Sequence, residues 1–137
     1  MEALGRLFNV LPTADDVYVN LKDWGGVTFV GVNAAGETWT LTEATDAAGT
    51  GAAVLATITR AHASATVGAA WALVTQAAAS TVVTSASQDA VVIEVDDYEL
   101  SDGKSWVKLT STSTGTVVAI VRDPKSARKP SNLAALV

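Results

Sequence analysis

The stretch "ELSDGKSWVKLTSTSTGTVVAIVRDP", from Glu99 to Pro124, predicts a β-protein. Two strand-like runs, Ser105 to Ser111 and Thr116 to Arg122, are joined by a short link of Ser, Thr and Gly. Two such runs with a short polar link between them are typical of a β-hairpin. The "SDGK" before the first run predicts a turn in which Gly103 adopts a positive φ.

Other strand-like runs lie upstream, at spacings of roughly 8 to 14 residues, as in an antiparallel sandwich or barrel. "GGVTFVGV" (Gly25 to Val32) and "TWTLTEA" (Thr38 to Ala44), joined by "NAAGE", predict a second hairpin. Further runs are "VYVNL" (Val17 to Leu21), "AAWALVTQA" (Ala69 to Ala77) and "VVIEVDDYEL" (Val91 to Leu100). We therefore predict an all-β chain of about eight or nine strands, folded as an antiparallel β-sandwich. A jelly roll of two four-stranded sheets is the leading arrangement, and an immunoglobulin-like sandwich is the alternative.

The composition is low in charge and contains no cysteine. Of the 137 residues, 17% are charged, against about a quarter in typical soluble domains. Because so few residues are charged, while 49% are hydrophobic, we expect part of the surface to be buried in an assembly. A net charge of −5 disfavours nucleic acid, whose phosphates require clustered Lys and Arg. The lack of cysteine excludes disulfides and zinc–cysteine sites.

The chain carries no sequence signal for a membrane or for secretion. Its longest apolar run falls well short of the roughly 18 residues of a membrane helix. The start, "MEALGRLFNVLPTADD", does not have the apolar core of a secretory signal. We therefore expect no membrane partner and folding in a reducing cytoplasm.

Both ends of the chain differ in character from the middle. We predict an N-terminal arm (1–16), a β-sandwich domain (17–123) and a basic C-terminal arm (124–137) that lies apart from the sandwich core. Prolines and apolar residues accompany the basic ones in "PKSARKPSNLAALV", which indicates an extended segment with an apolar end. We expect contacts with a partner protein through Leu7, Phe8, Trp24, Lys125, Arg128, Lys129, Leu133 and Leu136.

Side chains that carry enzyme chemistry are sparse. Asp15 and Asp16 are neighbours, as are Asp96 and Asp97, and adjacent strand residues point to opposite faces, which disfavours a general acid–base couple. His62 is the single histidine, and no GxSxG motif accompanies it. No glycine-rich turn continues into the Lys-Ser/Thr pair of a phosphate loop, and no spacing matches a calcium loop. We predict that the protein is not an enzyme and binds no metal or cofactor.

Four tryptophans stand out in a chain with few aromatic residues. Trp39, Trp71 and Trp106 fall within strand-like runs and are predicted to fill the sandwich core. Trp24, in "KDWGG", lies where a strand begins, and two placements are open for it: burial in the core or partial exposure. An exposed Trp24 contacts a protein partner in one interpretation and stacks on a sugar in the other.

An N-terminal arm is followed by "GVTFVGVNAAGETWTLTEA", "GAAWALVTQAAASTVV", "VVIEVDDYELSDGKSWVKLTSTS" and a short basic tail. This order resembles small virion proteins of tailed phages that infect actinobacteria. The resemblance extends from about Val27 to Pro124, and "DDYELSDGKSWVKLTS" carries most of it. It implies a decoration or cement protein on the capsid shell, usually a symmetric oligomer. No catalytic residue set carries over.

The leading hypothesis is therefore a capsid decoration protein that binds the major capsid protein on the outer head shell. It would reside in the virion and form a closed oligomer, either a trimer or a pentamer. A head-completion or tail component is one alternative, and a carbohydrate-binding or adhesion sandwich is another. The copy number in purified particles separates the first two.

Overall fold

The computed structural model describes residues 9–66, 69–126, 132 and 134–137, which contain eleven β-strands in two antiparallel sheets. The strands are β1 (Val10–Leu11), β2 (Val19–Asn20), β3 (Trp24–Val32), β4 (Thr38–Ala44), β5 (Ala53–Val54), β6 (Ile58–Ser64), β7 (Ala72–Ala79), β8 (Thr81–Val83), β9 (Ala90–Asp96), β10 (Trp106–Thr110) and β11 (Thr116–Pro124). A 3-10 turn, Asp97–Glu99, follows β9. The six-stranded sheet has the order β1-β11-β3-β9-β6-β7. The five-stranded sheet has the order β2-β10-β4-β5, with β8 also paired to β4.

The core lies between the two sheets and is built by alternation along the strands. In β11, Val117, Ala119 and Val121 are buried, while the residues between them are partly exposed. The largest fully buried side chains include Trp39 and Phe29, one from each sheet. The prediction of an all-β sandwich is confirmed. The jelly-roll arrangement is not confirmed, because the sheets contain six and five strands rather than four each.

Both predicted hairpins are wrong. β3 pairs with β11 and β9, whereas β4 pairs with β10, so the link 33–37 crosses from one sheet to the other. The link 111–115 crosses in the same way between β10 and β11. Alternation identifies which residues share a face, but it does not identify the neighbouring strand. A five-residue link can either close a hairpin or span the roughly 10 Å between packed sheets.

A buried carboxylate ties the two crossing links together. Glu37, only 3% exposed, accepts hydrogen bonds from the Thr112 hydroxyl (2.7 Å) and the Thr114 backbone N–H (2.9 Å). Since these bonds favour the ionised form, they hold the pKa of Glu37 below its ordinary value. The Glu37 carboxylate therefore joins the link 33–37 to the link 111–115 by hydrogen bonds.

Thr84 extends this polar cluster to the core. Its hydroxyl oxygen accepts from the Glu37 N–H (3.2 Å) and from the Trp39 indole N–H (3.3 Å). The same hydroxyl donates to the carbonyl oxygen of Ala34. The Glu37 N–H also donates to the Ala34 carbonyl oxygen (3.2 Å). Removing the Thr84 hydroxyl would therefore take the acceptor from the indole N–H of Trp39, whose side chain is fully buried.

The indole ring of Trp39 fills the gap between the sheets at the same end of the sandwich. A Cβ atom built on Gly31 of β3 would lie 2.6 Å from Trp39 Cη2, and one built on Gly115 would lie 2.5 Å from it. Neither distance is compatible with a side chain, so both positions require glycine for close approach. The ring thus contacts the backbone of the opposite sheet directly.

The predictions for the other tryptophans were only partly right. Trp39 is fully buried, as expected, but Trp71 is 49% exposed, and the prediction that it fills the core was wrong. Trp24 is 5% exposed, so of its two predicted placements the core is the one observed. In β10 the buried face carries Val107 and Leu109, and Trp106 lies on the other face.

Two further expectations concern the ends of the sandwich. The turn at "SDGK" is confirmed: Gly103 has a φ of 81°, and the Lys104 N–H donates to the Ser101 carbonyl oxygen (3.0 Å). At the N-terminal side, β1 pairs with β11 through Val10 and Ile120. The sandwich therefore begins before residue 17, within the segment that the sequence predicts to be an arm.

Replacing Thr84 by Val is expected to reduce the free energy of unfolding by about 1–3 kcal/mol, because it leaves the buried indole N–H of Trp39 without its acceptor. Thr42→Val, on the partly exposed face of β4, is the matched control and should change stability by less than about 0.5 kcal/mol. Urea titrations of the two variants measure the difference. Equal effects would contradict the role assigned to the Thr84 hydroxyl.

Acid should weaken the connection between the two links. Because folding lowers the pKa of Glu37, its contribution is fully present above the ordinary glutamate pKa, near 4.5, and is lost as the pH falls through the lowered value. We expect the wild-type protein to be more stable than Glu37→Gln at pH 7 and this advantage to shrink between pH 4.5 and pH 3. Denaturant midpoints across that range measure it, and a pH-independent difference would refute the assignment.

Candidate functional site

The outer faces of the two sheets differ in chemistry. On the five-stranded sheet, the outward residues of β4 are threonines: Thr38, Thr40 and Thr42. On the six-stranded sheet, the outward face includes, beside polar residues such as Thr28 and Glu94, a group of half-buried or exposed branched aliphatic residues: Val10, Val30, Val32, Val92, Val118 and Ile120. Solvent-facing sheet surfaces normally carry polar side chains. The second surface, which we call the valine face, is therefore the candidate site for binding a partner.

Strand register aligns part of the valine face into one continuous row. Val118 of β11 lies opposite Val30 of β3, and Val30 lies opposite Val92 of β9. The row continues through His62 of β6, which lies opposite both Val92 and Leu73 of β7. Because directly opposite residues point to the same face, these five side chains cross the sheet together.

A polar cleft of about 310 Å³ borders the valine face at one end. Its lining includes Arg60 and His62 of β6, Glu94 and Asp96 of β9, and Arg122 of β11. The cleft thus combines charges of both signs, in contrast to the adjoining valines.

Arg122 is held by carboxylates on both sides. Its Nη1 lies 2.8 Å from Asp123 Oδ2, and its Nη2 is paired with Asp96 Oδ1. Partial burial on its own disfavours the charged form, but the hydrogen bonds to Asp123 and Asp96 outweigh it and raise the pKa of Arg122. The Arg122 charge is thus matched within the protein, and the cleft does not present it as a free cation.

The neighbouring acidic residues have separate partners. Asp96 pairs with Arg122, whereas Asp97 Oδ2 lies 2.7 Å from Lys125 Nζ. Asp15 accepts from the Ser111 N–H, and Asp16 pairs with Lys108. Among the described residues, no group of three or more His, Asp or Glu side chains is placed to hold a metal ion.

The C-terminal residues pack against the sandwich. The Ala134 N–H donates to Asp23 Oδ2 (2.8 Å), and the Leu136 carbonyl oxygen accepts from the Asn20 N–H (2.9 Å) on β2. The Leu136 side chain is partly buried against the core. The expectation that the C-terminal arm lies apart from the core was therefore wrong for Leu136. Its side chain packs against the core, and its carbonyl oxygen binds β2.

Three of the predicted contact residues lie in the described part of the chain, and each of them makes contacts within it: Trp24, Lys125 and Leu136. Trp24 belongs to the core. Lys125 Nζ contacts Asp97 and the carbonyl oxygen of Leu21 (3.2 Å), so its charge is used within the chain. The remaining predictions fall outside the described residues: Leu7, Phe8, Arg128, Lys129 and Leu133.

The sequence does contain a signal for the valine face that the reasoning from alternation missed. "VVIEV" and "TVVAIV" are nearly continuous apolar runs rather than alternating ones. A run of that kind indicates a strand covered on both faces. One of these faces is the core, and the other is the valine face.

No protein-family model, no curated protein and no solved structure matches this chain. In the described part of the chain, no helix has the length and apolar character needed to cross a membrane.

Shortening Leu136 to Ala should lower the free energy of unfolding by about 1–2 kcal/mol, since each buried methylene contributes about 0.8 kcal/mol and the side chain is only partly buried. Val137→Ala is the control, because Val137 is 54% exposed and surface changes stay within about 0.5 kcal/mol. Thermal unfolding of both variants gives the comparison. An unchanged Leu136→Ala protein would mean that the tail does not stabilise the sandwich.

Proposed function

We propose that the chain is a structural protein of a tailed-phage virion, a capsid decoration or cement protein that binds the major capsid protein on the outer head shell. The observation that supports this most is the valine face, an apolar sheet surface that has no cover from the described residues. A partner that buries it gains roughly 25 cal/mol per Å² of apolar surface removed from water. The resemblance of "DDYELSDGKSWVKLTS" to small virion proteins supplies the biological setting.

The proposal is for a binding protein rather than an enzyme. In the cleft beside the valine face, Arg122 is paired with Asp96 and Asp123. The protein side of the interface would combine an apolar centre with a charged border at the cleft, the usual anatomy of protein–protein contacts. Nucleic acid and membranes are not part of the proposal.

The sugar-binding alternative loses the residue on which it was based, since Trp24 is buried. A head-completion or tail component remains the alternative location for the same interface. Hundreds of copies per particle would support decoration of the shell, whereas about a dozen would place the protein at the head–tail junction.

A lysine in the middle of the valine face should prevent capsid binding. Val30→Lys, flanked by Val118 and Val92, is expected to reduce occupancy of protein-depleted particles at least about tenfold, because burying an unpaired charge is costly. Thr40→Lys, at the corresponding position on the five-stranded sheet, should bind like the wild type.

Thermal unfolding of both lysine variants shows whether each remains folded. Equal binding by the two would refute the valine face as the capsid-binding surface. Particles that resist heat equally well with and without the protein would refute the cement role.

A further inference from the structure

β7, the last strand of the six-stranded sheet on the side away from β1, has a free edge among the described residues. β7 pairs with β6 on one side, and within the described residues no strand pairs with its other side. Such an edge exposes unpaired N–H and C=O groups, which makes it a template for another strand. Monomeric proteins usually block these edges with Lys, Pro, bulges or a covering segment.

β7 does not have the charged or proline blocks. From residue 61 to residue 88 the chain contains no Asp, Glu, Lys, Arg or Pro, although it carries fourteen acidic and nine basic residues in all. Two large apolar side chains accompany this edge: Trp71 is 49% exposed and Leu73 is 54% exposed. The edge is therefore uncharged and flanked by exposed apolar surface.

A bulge blocks only the second half of the strand. The register with β6 is regular from Ala72 to Thr75 and shifts beyond it. At the shift, the Gln76 side-chain amide donates to the carbonyl oxygens of Ile58 (3.1 Å) and Thr81 (2.8 Å). The part of the edge that remains straight is the part next to Trp71 and Leu73.

We propose that β7 pairs antiparallel with β7 of a second copy of this chain, around a two-fold axis that passes beside Leu73. Directly opposite residues of an antiparallel pair point to the same face. A two-fold axis perpendicular to the sheet therefore places Leu73 opposite Leu73 of the partner subunit. In the same register, Trp71 lies opposite Thr75 of the partner subunit.

Charge and symmetry both favour a second copy as the occupant of this edge. Two chains that each carry a net charge of −5 repel each other, and the repulsion is weakest where neither surface is charged. An antiparallel edge is also self-complementary under a two-fold axis, the commonest symmetry of homo-oligomers. This two-fold contact differs from the trimer or pentamer expected from the resemblance.

The pairing also connects with the valine face. The row from Val118 to Val92 passes through His62 and ends at Leu73. In the dimer that row runs on into the partner copy, across a twelve-stranded sheet whose two valine faces point the same way. The inference does not depend on the virion proposal, because it concerns the isolated protein.

The lack of native cysteine allows a direct test. Leu73→Cys would place two Cβ atoms about 4.5–5.5 Å apart across the axis, within reach of a disulfide or a short bis-maleimide. We expect a covalent dimer on a non-reducing gel at low micromolar protein. Val83→Cys is the control, since Val83 is 68% exposed but lies on β8 of the other sheet, and it should remain mostly monomeric.

A second variant tests the same contact without a covalent crosslink. Leu73→Lys should raise the dimer dissociation constant at least about tenfold in sedimentation velocity, whereas Val54→Lys, also at an exposed valine, should not. Native protein that sediments as a monomer at high micromolar concentration would overturn the proposal. Equal crosslinking of the two cysteine variants would overturn it as well. Capsid binding is measured separately, so either proposal can fail alone.

Discussion

Contact between the Trp39 ring and the backbone of the opposite sheet fixes the geometry of this sandwich. The ring reaches from β4 to β3 because Gly31 and Gly115 leave room for it. Its indole N–H requires a buried acceptor, which Thr84 provides, and Thr84 in turn binds the link between β3 and β4. Glu37 then holds the second link through Thr112. Apolar packing and the polar cluster thus determine together where the chain crosses between the sheets.

Periodicity along the sequence predicts the fold class but not the strand neighbours. The runs that became β4, β9 and β11 were recognised because their side chains alternate or are β-branched. The same pattern fits a strand in either sheet, so the links 33–37 and 111–115 were interpreted as hairpin turns. The sheet to which each strand belongs is determined by contacts between residues distant in sequence, such as Glu37 with Thr112. No local pattern contains that information.

The two arms show a similar limit. Val10 and Leu11 are too short a run to be recognised as a strand, yet β11 provides a partner for them. Leu136 was expected to contact a partner protein, but its side chain packs against the core of its own chain. The valine face could have been predicted from the continuous apolar runs. The free edge at β7 could not, because an edge is defined by the strand order.

Asp23 has a consequence for how the protein can be modified. Its carbonyl oxygen accepts from the Lys125 N–H (2.9 Å), and its carboxylate accepts from the Ala134 N–H (2.8 Å). Asp23 therefore binds the chain at residue 125 and again at residue 134. The entropy of closing a loop grows slowly with length, by about 0.6 kcal/mol for each doubling. A foreign peptide spliced in between these two anchor points would therefore cost the sandwich little stability, which makes this position a natural place to carry an epitope or an affinity tag.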